Sequence, residues 1–497
     1  MIFTKSSRKR TEKVSSDDAA VSFDLLSNLT YMAALATGGP SRDLIFERAI
    51  EQKFKTGLYF RQVYLLTKRM GFEYVRAFRM VSRKAGAPSI KSLLLRFAGA
   101  ITAGVSEADF LVEEARAERE QYINSYHRGL ETLAKWGDAY AALLVSVSLV
   151  VVVAMISSML SDLGGTFVVM LTFTMIMVST FGVYIIFRTA PQEIKPYQFK
   201  KGPIQRRLAK RLFYILVPAG IFFGLILSFK LGFSGLLLVF GFSLFPSGFV
   251  AWRENGKLDQ IDQEIAIFLR SLGKVTSSLG TTIGNSLGKI DHRSLGTLEP
   301  YLKRLNTRLS KNVSTERCWD AFREELGSEL ANRCTRMFVD GVALGGPPDK
   351  VGEIAGEYAM DAALMRSRRT VSAAPFAFLT IPLHFAMTGL MIFVLEIMKS
   401  FNERITVALA EMEAYSGGTG VSAVASLPVF QEQDMTMLST MTAIALVSMT
   451  ISNALAPKFA LGGHSLNAAF YGSITCIMTG VNLLIIPQIA GTLLISG

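Results

Sequence analysis

The chain has 497 residues, which is too long for one ordinary domain and indicates three or four units. Half of the residues are hydrophobic, 19% are charged and the mean hydropathy is +0.35, so the composition argues against a soluble protein and for membrane insertion. The net charge of +12 does not require a nucleic-acid partner, because Lys and Arg gather in the cytoplasmic loops of membrane proteins.

The chain begins with a basic tail, residues 1–21, that no continuous apolar run follows. We therefore expect no signal peptide and a cytoplasmic N-terminus. Residues 22–138 follow the tail and have a helical pattern without strand alternation. Gly71 and Gly104 are predicted to end helices there, while Ser89 and Ser106 are predicted to begin them.

Long uncharged runs then alternate with polar segments. Two predicted transmembrane helices lie in residues 139–187, two in 212–252 and three in 372–497, each near the roughly 20 residues that cross a bilayer. The pair in 212–252 could instead be one kinked or re-entrant hairpin around Lys230. A second helical domain is predicted for residues 253–371. The predicted fold is thus an all-α polytopic membrane protein with about seven transmembrane helices and two cytoplasmic helical bundles.

Charge near the span ends predicts the orientation. The loop of residues 188–211 carries eight Lys or Arg against Glu193 alone and should be cytoplasmic. The loop of residues 397–435 is acidic and should be external. An odd number of spans then leaves the C-terminus outside, at the cell membrane.

The two polar regions resemble each other. Residues 97–104 (FAGAITAG) match residues 338–345 (FVDGVALG), and residues 77–79 (AFR) match residues 321–323. Gly327 and Ser328 repeat the pattern of a helix end followed by a helix start, and Gly345 precedes another long helix. We interpret the two regions as homologous copies of one helical domain.

No pattern for catalysis is present, so we predict no catalytic, cofactor-binding or metal-binding residue and no enzyme activity. Three cysteines form no paired motif. Gly280, Gly284 and Gly288 precede a lysine, but their spacing favours close helix packing over phosphate binding. His384 lies inside the fifth span; the favoured reading is a neutral imidazole bonded to a neighbouring helix, and the alternative is a functional site. Three amide side chains should pack helices in the same way: Asn453, Asn482 and Gln488.

Charged clusters are the candidate partner-binding residues. Glu353, Glu357 and Asp361 recur at helical spacing and form an acidic stripe, readable as a solvated face, a docking surface or a weak divalent-ion site. A juxtamembrane basic cluster can be explained by membrane orientation and attraction to anionic lipids alone, or by an additional contact with a cytoplasmic partner. Its members are Arg206, Arg207, Lys210 and Arg211. A domain basic cluster comprises Lys303, Arg304 and Arg308.

The order of helical domain, spans, basic loop, spans, helical domain and spans, together with residues 29–43 (LTYMAALATGGPSRD), resembles the type II secretion F-domain superfamily. Within it, the chain looks most like archaeal platform proteins of the archaellum and of type IV pili. The resemblance implies a non-enzymatic membrane platform that binds a separate cytoplasmic hexameric secretion ATPase. Other implied partners are pilin or archaellin subunits and membrane lipids, with a homodimer left open.

A permease subunit driven by a separate ATPase is the alternative. It too would lack a nucleotide motif, but it usually keeps short coupling loops, whereas about half of this chain is polar. Charged residues deep in the spans, which ion coupling needs, are also missing.

Overall fold

A computed structural model describes residues 22–52, 54–160, 164–191, 195–196, 202–291, 295–311, 313–416 and 435–495. These residues form α-helices and no strand, apart from an isolated bridge between Pro196 and Ser328. The all-α prediction is therefore confirmed. The predicted basic tail, residues 192–194 and 197–201 of the basic loop and residues 417–434 of the acidic loop lie outside the described residues.

The first seven helices are α1 (residues 22–36), α2 (Arg42–Glu51), α3 (Gly57–Met70), α4 (Tyr74–Lys84), α5 (Pro88–Thr102), α6 (Glu107–Leu160) and α7 (Gly164–Thr189). They are followed by α8 (Ile204–Leu279), α9 (Ile283–Leu287), α10 (Glu299–Ser310), α11 (Thr315–Leu326), α12 (Glu329–Ala343), α13 (Pro348–Ser416), α14 (Met435–Leu461) and α15 (Asn467–Ile495).

The chain divides into two compact units. Unit 1 takes its described residues from Met1–Gly129, Pro191–Ile204 and Glu254–Arg369, and unit 2 from Leu130–Ala190, Gln205–Arg253 and Thr370–Gly497. Both predicted polar regions thus contribute to unit 1, while α6, α8 and α13 contribute residues to both units. The division into two homologous domains and the boundaries of those domains stay predictions.

Unit 1 contains two series of helices in the same order. The first runs from α1 through α5 to the start of α6, and the second from the last part of α8 through α12 to the start of α13. α5 and α12 have 15 residues each, and both are followed by a glycine in the left-handed region, Gly104 (φ 70°) and Gly345 (φ 89°). The matched residues Phe97 and Phe338 are fully buried. These correspondences support the interpretation of a duplicated domain.

Local chemistry explains where these helices begin and end. Gly71 and Gly327 adopt φ values of 67° and 66°, which glycine reaches without steric cost, and they end α3 and α11. Ser328 begins α12, because its hydroxyl accepts a hydrogen bond from the Ala331 amide at 3.2 Å. Ser106 accepts one from the Asp109 amide at 3.4 Å at the start of α6. The predicted ends at Gly71, Gly104, Gly327 and Gly345 are confirmed.

The turns that follow α1 and α12 cross within unit 1. A Cβ built on Gly38 would lie 2.5 Å from the carbonyl oxygen of Leu344 and 2.7 Å from the amide nitrogen of Gly346. A Cβ on Gly346 would lie 2.7 Å from the Thr37 hydroxyl. Neither position has room for a side chain, so the close approach of these two turns requires glycine at both positions.

Unit 2 is apolar and helical. Six helices are long and apolar enough to cross a membrane among the described residues, namely α6, α7, α8, α13, α14 and α15. α8 is broken at Gly232 (φ 61°, ψ −152°), and a Cβ on Gly224 would lie 3.3 Å from the Leu236 carbonyl, so its two apolar arms pack against each other as a hairpin. The six helices therefore hold the seven predicted apolar stretches and define an integral membrane protein.

Candidate partner-binding surfaces

The domain basic cluster lies on α10, where its charges are partly neutralised. Arg304 Nε lies 2.8 Å from one carboxylate oxygen of Glu325, and Arg308 pairs with the other. Lys303 pairs with Glu299 at 2.7 Å and keeps 67% of its side chain exposed. Two of the three cations therefore tie α10 to α11, and Lys303 is the most accessible to a partner.

The acidic stripe lies on α13 and faces a basic side chain of α6. Arg119 Nη1 lies 2.8 Å from Glu357 and its Nε pairs with Asp361. Glu353 is exposed and forms no ion pair among the described residues. Within the described ranges no group of three His, Cys, Asp or Glu could hold a metal ion. The stripe serves first as an internal contact between α6 and α13, and its role toward a partner stays a prediction.

The juxtamembrane basic cluster lies at the start of α8 in unit 2. Arg207, Lys210 and Arg211 are exposed, whereas Arg206 is buried. His464, in the turn between α14 and α15, accepts a hydrogen bond from the Leu466 amide at 3.1 Å. Burial, with the nearby charges of Arg206 and Lys210, lowers the pKa of His464 to about 4. Sequence reasoning had not connected His464 with this cluster.

Unit 1 also buries charged residues that the sequence pattern did not single out. Arg333 on α12 lies 2.7 Å from Glu329 and 3.3 Å from Asp24, and it also donates to the Ser27 hydroxyl at 2.7 Å. Its guanidinium sits 5.2 Å from the centre of the Phe23 ring. This residue fixes α1 against α12, so α1 is held by charge as well as by apolar contact.

A second buried ion pair joins Arg366 on α13 to Asp262 on α8. Their side chains are 4% and 1% exposed. The Ser328 hydroxyl donates to the same carboxylate. This buried pairing gives Arg366 a structural role that no sequence pattern singled out.

His384 is fully buried in unit 2 and bonded by neighbouring helices. Its Nε2 lies 2.9 Å from the Thr479 hydroxyl and 3.2 Å from the Thr475 carbonyl oxygen, while its Nδ1 lies 3.0 Å from the Asn453 amide nitrogen. Asn453 in turn accepts from the Tyr140 hydroxyl at 3.0 Å. A neutral imidazole protonated at Nε2 satisfies every one of these bonds, which agrees with the predicted helix-packing role.

The other two predicted packing amides differ from each other. Asn482 donates to the Phe385 carbonyl and to the Thr388 hydroxyl, both at 2.8 Å, as expected. Gln488 is exposed in unit 2, so the prediction of a helix-packing role is wrong for that residue. Position on the helix face, which the residue type does not reveal, decides between the two.

The interpretation of Gly280, Gly284 and Gly288 as a close-packing motif is wrong. Gly280 caps α8 with φ 57°, and a Cβ there would meet nothing within 4 Å. A Cβ on Gly284 or Gly288 would meet its nearest neighbour at 3.9 Å or 3.7 Å, which is ordinary contact. Among the described residues, no helix approaches these glycines more closely than ordinary contact.

The fold and these surfaces define a polytopic helical membrane protein with a large polar helical unit. The chain is similar to the Flagella accessory protein J of Methanococcus voltae, with 26% identity over 314 residues, 60% of this chain and 55% of that protein. It is also similar to the Flagella accessory protein J of Methanocaldococcus jannaschii, with 23% identity over 305 residues, 59% of this chain and 54% of that protein.

The chain thus spans about half the length of the curated relatives it matches. No family model matches the chain. No solved structure matches it either.

Proposed function

We propose that the chain is the integral membrane platform of an archaeal archaellum or type IV pilus-like filament assembly machine. In this role it couples a separate cytoplasmic secretion ATPase to the assembly of pilin or archaellin subunits. The observation that carries the proposal is the similarity to two proteins named as flagella accessory proteins, in a chain that combines apolar membrane helices with a polar helical unit.

The surface offered to the ATPase is the domain basic cluster on α10. Lys303 is the most exposed of its three cations, and Arg304 and Arg308 share the single carboxylate of Glu325. Exposed charges govern association rate and salt dependence more than raw affinity. An acidic patch on the ATPase would therefore be recognised most strongly at low ionic strength.

The test reverses Lys303, Arg304 and Arg308 to Glu and measures co-purification with the ATPase at two salt concentrations. Because the reversal also breaks the pairing with Glu325, a second variant adds Glu325→Arg to restore the α10–α11 bridge with opposite sign. We expect both variants to lose binding, most clearly at low salt, while both keep their helix content. Full binding by either variant would show that this surface is not the contact.

The non-enzymatic part of the proposal has its own test. The purified chain should neither bind nor hydrolyse ATP, because its sequence lacks a phosphate-binding loop. Hydrolysis that co-migrates with the chain after contaminating ATPases are removed would overturn the platform role.

A further inference from the structure

An open cleft of about 830 Å³ lies in unit 1 where α9, α10, the start of α11 and the end of α12 meet. Its apolar lining comes from Ile283, Leu309, Val313, Val339 and Val342. Hydroxyl and amide side chains and small residues complete the lining, and none of the lining residues is charged. Val313 exposes 44% of its surface. The volume lies within the range of about 300–1,000 Å³ that is usual for ligand-binding clefts.

Two glycines keep this cleft open. Gly284 lies in α9 and Gly288 caps the end of that helix, and both line the cleft with backbone where other residues would present side chains. In the first helix series, α2 stands at the corresponding place in the order, has ten residues and buries Ile45, Phe46 and Ala49. α9 has five residues. The second series thus has a shorter helix at this place than the first.

The rim of the cleft is basic. The described residues of 280–317, which supply α9, α10 and the start of α11, include six Lys or Arg and three Asp or Glu. Lys303, Arg304 and Arg308 already pair with Glu299 or Glu325. Lys289 follows the lining residue Gly288, and Lys311 follows the lining residue Ser310. Both lysines are exposed, and neither takes part in an ion pair among the described residues. An apolar floor with these two unpaired lysines beside it complements an apolar segment flanked by carboxylates.

We propose that this cleft docks a short amphipathic segment of a partner protein. Its apolar side chains fill the space beside Gly284 and Gly288, and its Asp or Glu side chains meet Lys289 and Lys311. Such recognition uses apolar anchors spaced along one helix face, with the surrounding charges selecting the partner. The proposal concerns a surface of unit 1 and does not depend on the filament role, because it is tested without the ATPase.

The probe is a fluorescent synthetic helix of about four turns, with Leu on one face and Glu on the other. Its binding to the full chain in zwitterionic lipid nanodiscs is measured by fluorescence anisotropy. A second peptide carries Lys in place of Glu, and a third has the acidic composition in scrambled order. We expect saturable binding of the ordered acidic peptide alone. Equal binding of the scrambled acidic peptide would overturn the proposal, because it would reduce the interaction to non-specific charge attraction.

Variants of the chain locate the binding. Gly288→Leu places a side chain in the cleft and should weaken binding about tenfold or more. Its control is Gly99→Leu on α5, a glycine outside the cleft where an added Cβ meets nothing within 4 Å, and this variant should bind normally.

Two further variants act at exposed positions, so they keep the proposal testable if Gly288→Leu fails to fold. Val313→Asp puts a carboxylate into the cleft, and Lys289→Glu with Lys311→Glu reverses the rim. Each variant should lower the affinity for the acidic peptide about tenfold at low ionic strength. The effect of reversing the two rim lysines should be smaller at high salt. Unchanged affinity in both of these variants would overturn the proposal.

Discussion

His464 shows how the fold sets the charge of a single residue. It lies in the turn between α14 and α15, outside the apolar helices, and its Nδ1 accepts the Leu466 amide proton. A protonated ring could not accept this bond, and it would also face the positive charges of Arg206, Lys210 and Lys458. Burial and these charges together keep the imidazole neutral in the folded chain.

The pH dependence of stability follows from the lowered pKa of His464. The unfolded chain binds a proton near pH 6.5, whereas the folded chain resists it down to about pH 4. Stability is therefore lost as pH falls through this window. His464→Asn keeps an acceptor for Leu466 and does not titrate. Its melting temperature should fall less than that of the wild type between about pH 7.5 and about pH 5. Parallel losses in the two proteins would contradict the prediction.

The buried pair Asp262 and Arg366 gives a second prediction at this scale. Asp262→Ala removes the carboxylate that Arg366 meets in the interior, so it should destabilise unit 1 by about 3–5 kcal/mol. The control is Lys303→Ala, which removes the exposed ion pair between Lys303 and Glu299, one helical turn apart on α10. This loss should cost about 1 kcal/mol or less. Chemical unfolding in mild detergent measures both, and a similar cost for the two variants would contradict the assignment of a buried pair.

The sequence identified the charged residues of unit 1 by type but not their partners. Lys303 and Glu299 are four residues apart on one helix, so their contact could be anticipated from helical spacing. The pairing of Arg119 with Glu357 joins residues 238 positions apart, and no periodic pattern contains that information. This difference explains why the sequence suggested a solvent-exposed acidic stripe, although two of its carboxylates pair with Arg119.

At the scale of helices, the crossing of Gly38 with Gly346 makes a sharp prediction. Gly38→Ala places a methyl group against the Leu344 carbonyl and the Gly346 amide, so either turn has to shift. We expect a loss of about 1–3 kcal/mol in the free energy of unfolding. The measurement is thermal or chemical unfolding of the purified chain.

The matched control for this crossing is Gly99→Ala. Gly99 lies inside α5, where an added Cβ meets nothing within 4 Å, so alanine should stabilise the helix by about 1 kcal/mol. Opposite signs for the two substitutions are the expected result. Little or no loss for Gly38→Ala would show that the turns have freedom to move apart and would contradict the prediction.

Helix ends were the most predictable feature of this scale, because they depend on local residues. Gly71 and Gly327 end helices through left-handed backbone, and Ser328 begins one through its hydroxyl. The sequence interpretation of Gly280, Gly284 and Gly288 was wrong because spacing alone cannot distinguish a close helix contact from an open cleft. That distinction depends on what lies opposite the helix, which comes from distant parts of the chain.

At the scale of the whole molecule, charge asymmetry predicts the topology. Single cysteines at Ser416 and at Lys201, in a background with Cys318, Cys334 and Cys476 replaced, test it with a membrane-impermeant thiol reagent. We expect labelling at position 416 in intact cells and protection at position 201. Because the three native thiols are buried, alanine replacements are preferred to larger ones. Labelling of position 201 from outside would reverse the assigned orientation.

The sequence predicted the helical class and the apolar stretches of the whole molecule because both follow from composition and run length. The pair of spans within 212–252 stays a prediction, and Gly232 breaks α8 between its two apolar stretches. The sequence could not predict that both polar regions join in unit 1. Their association depends on contacts such as the hydrogen bond from the Tyr31 hydroxyl to Asp340. These two residues are far apart in the chain, and no local pattern pairs them.

The long separation of these partners has a consequence for biosynthesis. Ser27 meets Tyr358 across 331 positions, Tyr31 meets Asp340 across 309, and Arg333 meets Ser27 across 306. At about 5–20 residues per second, a ribosome needs roughly 15–65 s to supply these partners after α1 has been made. During that interval the intervening apolar helices emerge, and the face of α1 that these contacts later cover lacks its partners. We therefore expect ribosome-bound chains halted before α12 to be bound by chaperones or cut by proteases within α1, and chains extended beyond α13 to be protected there.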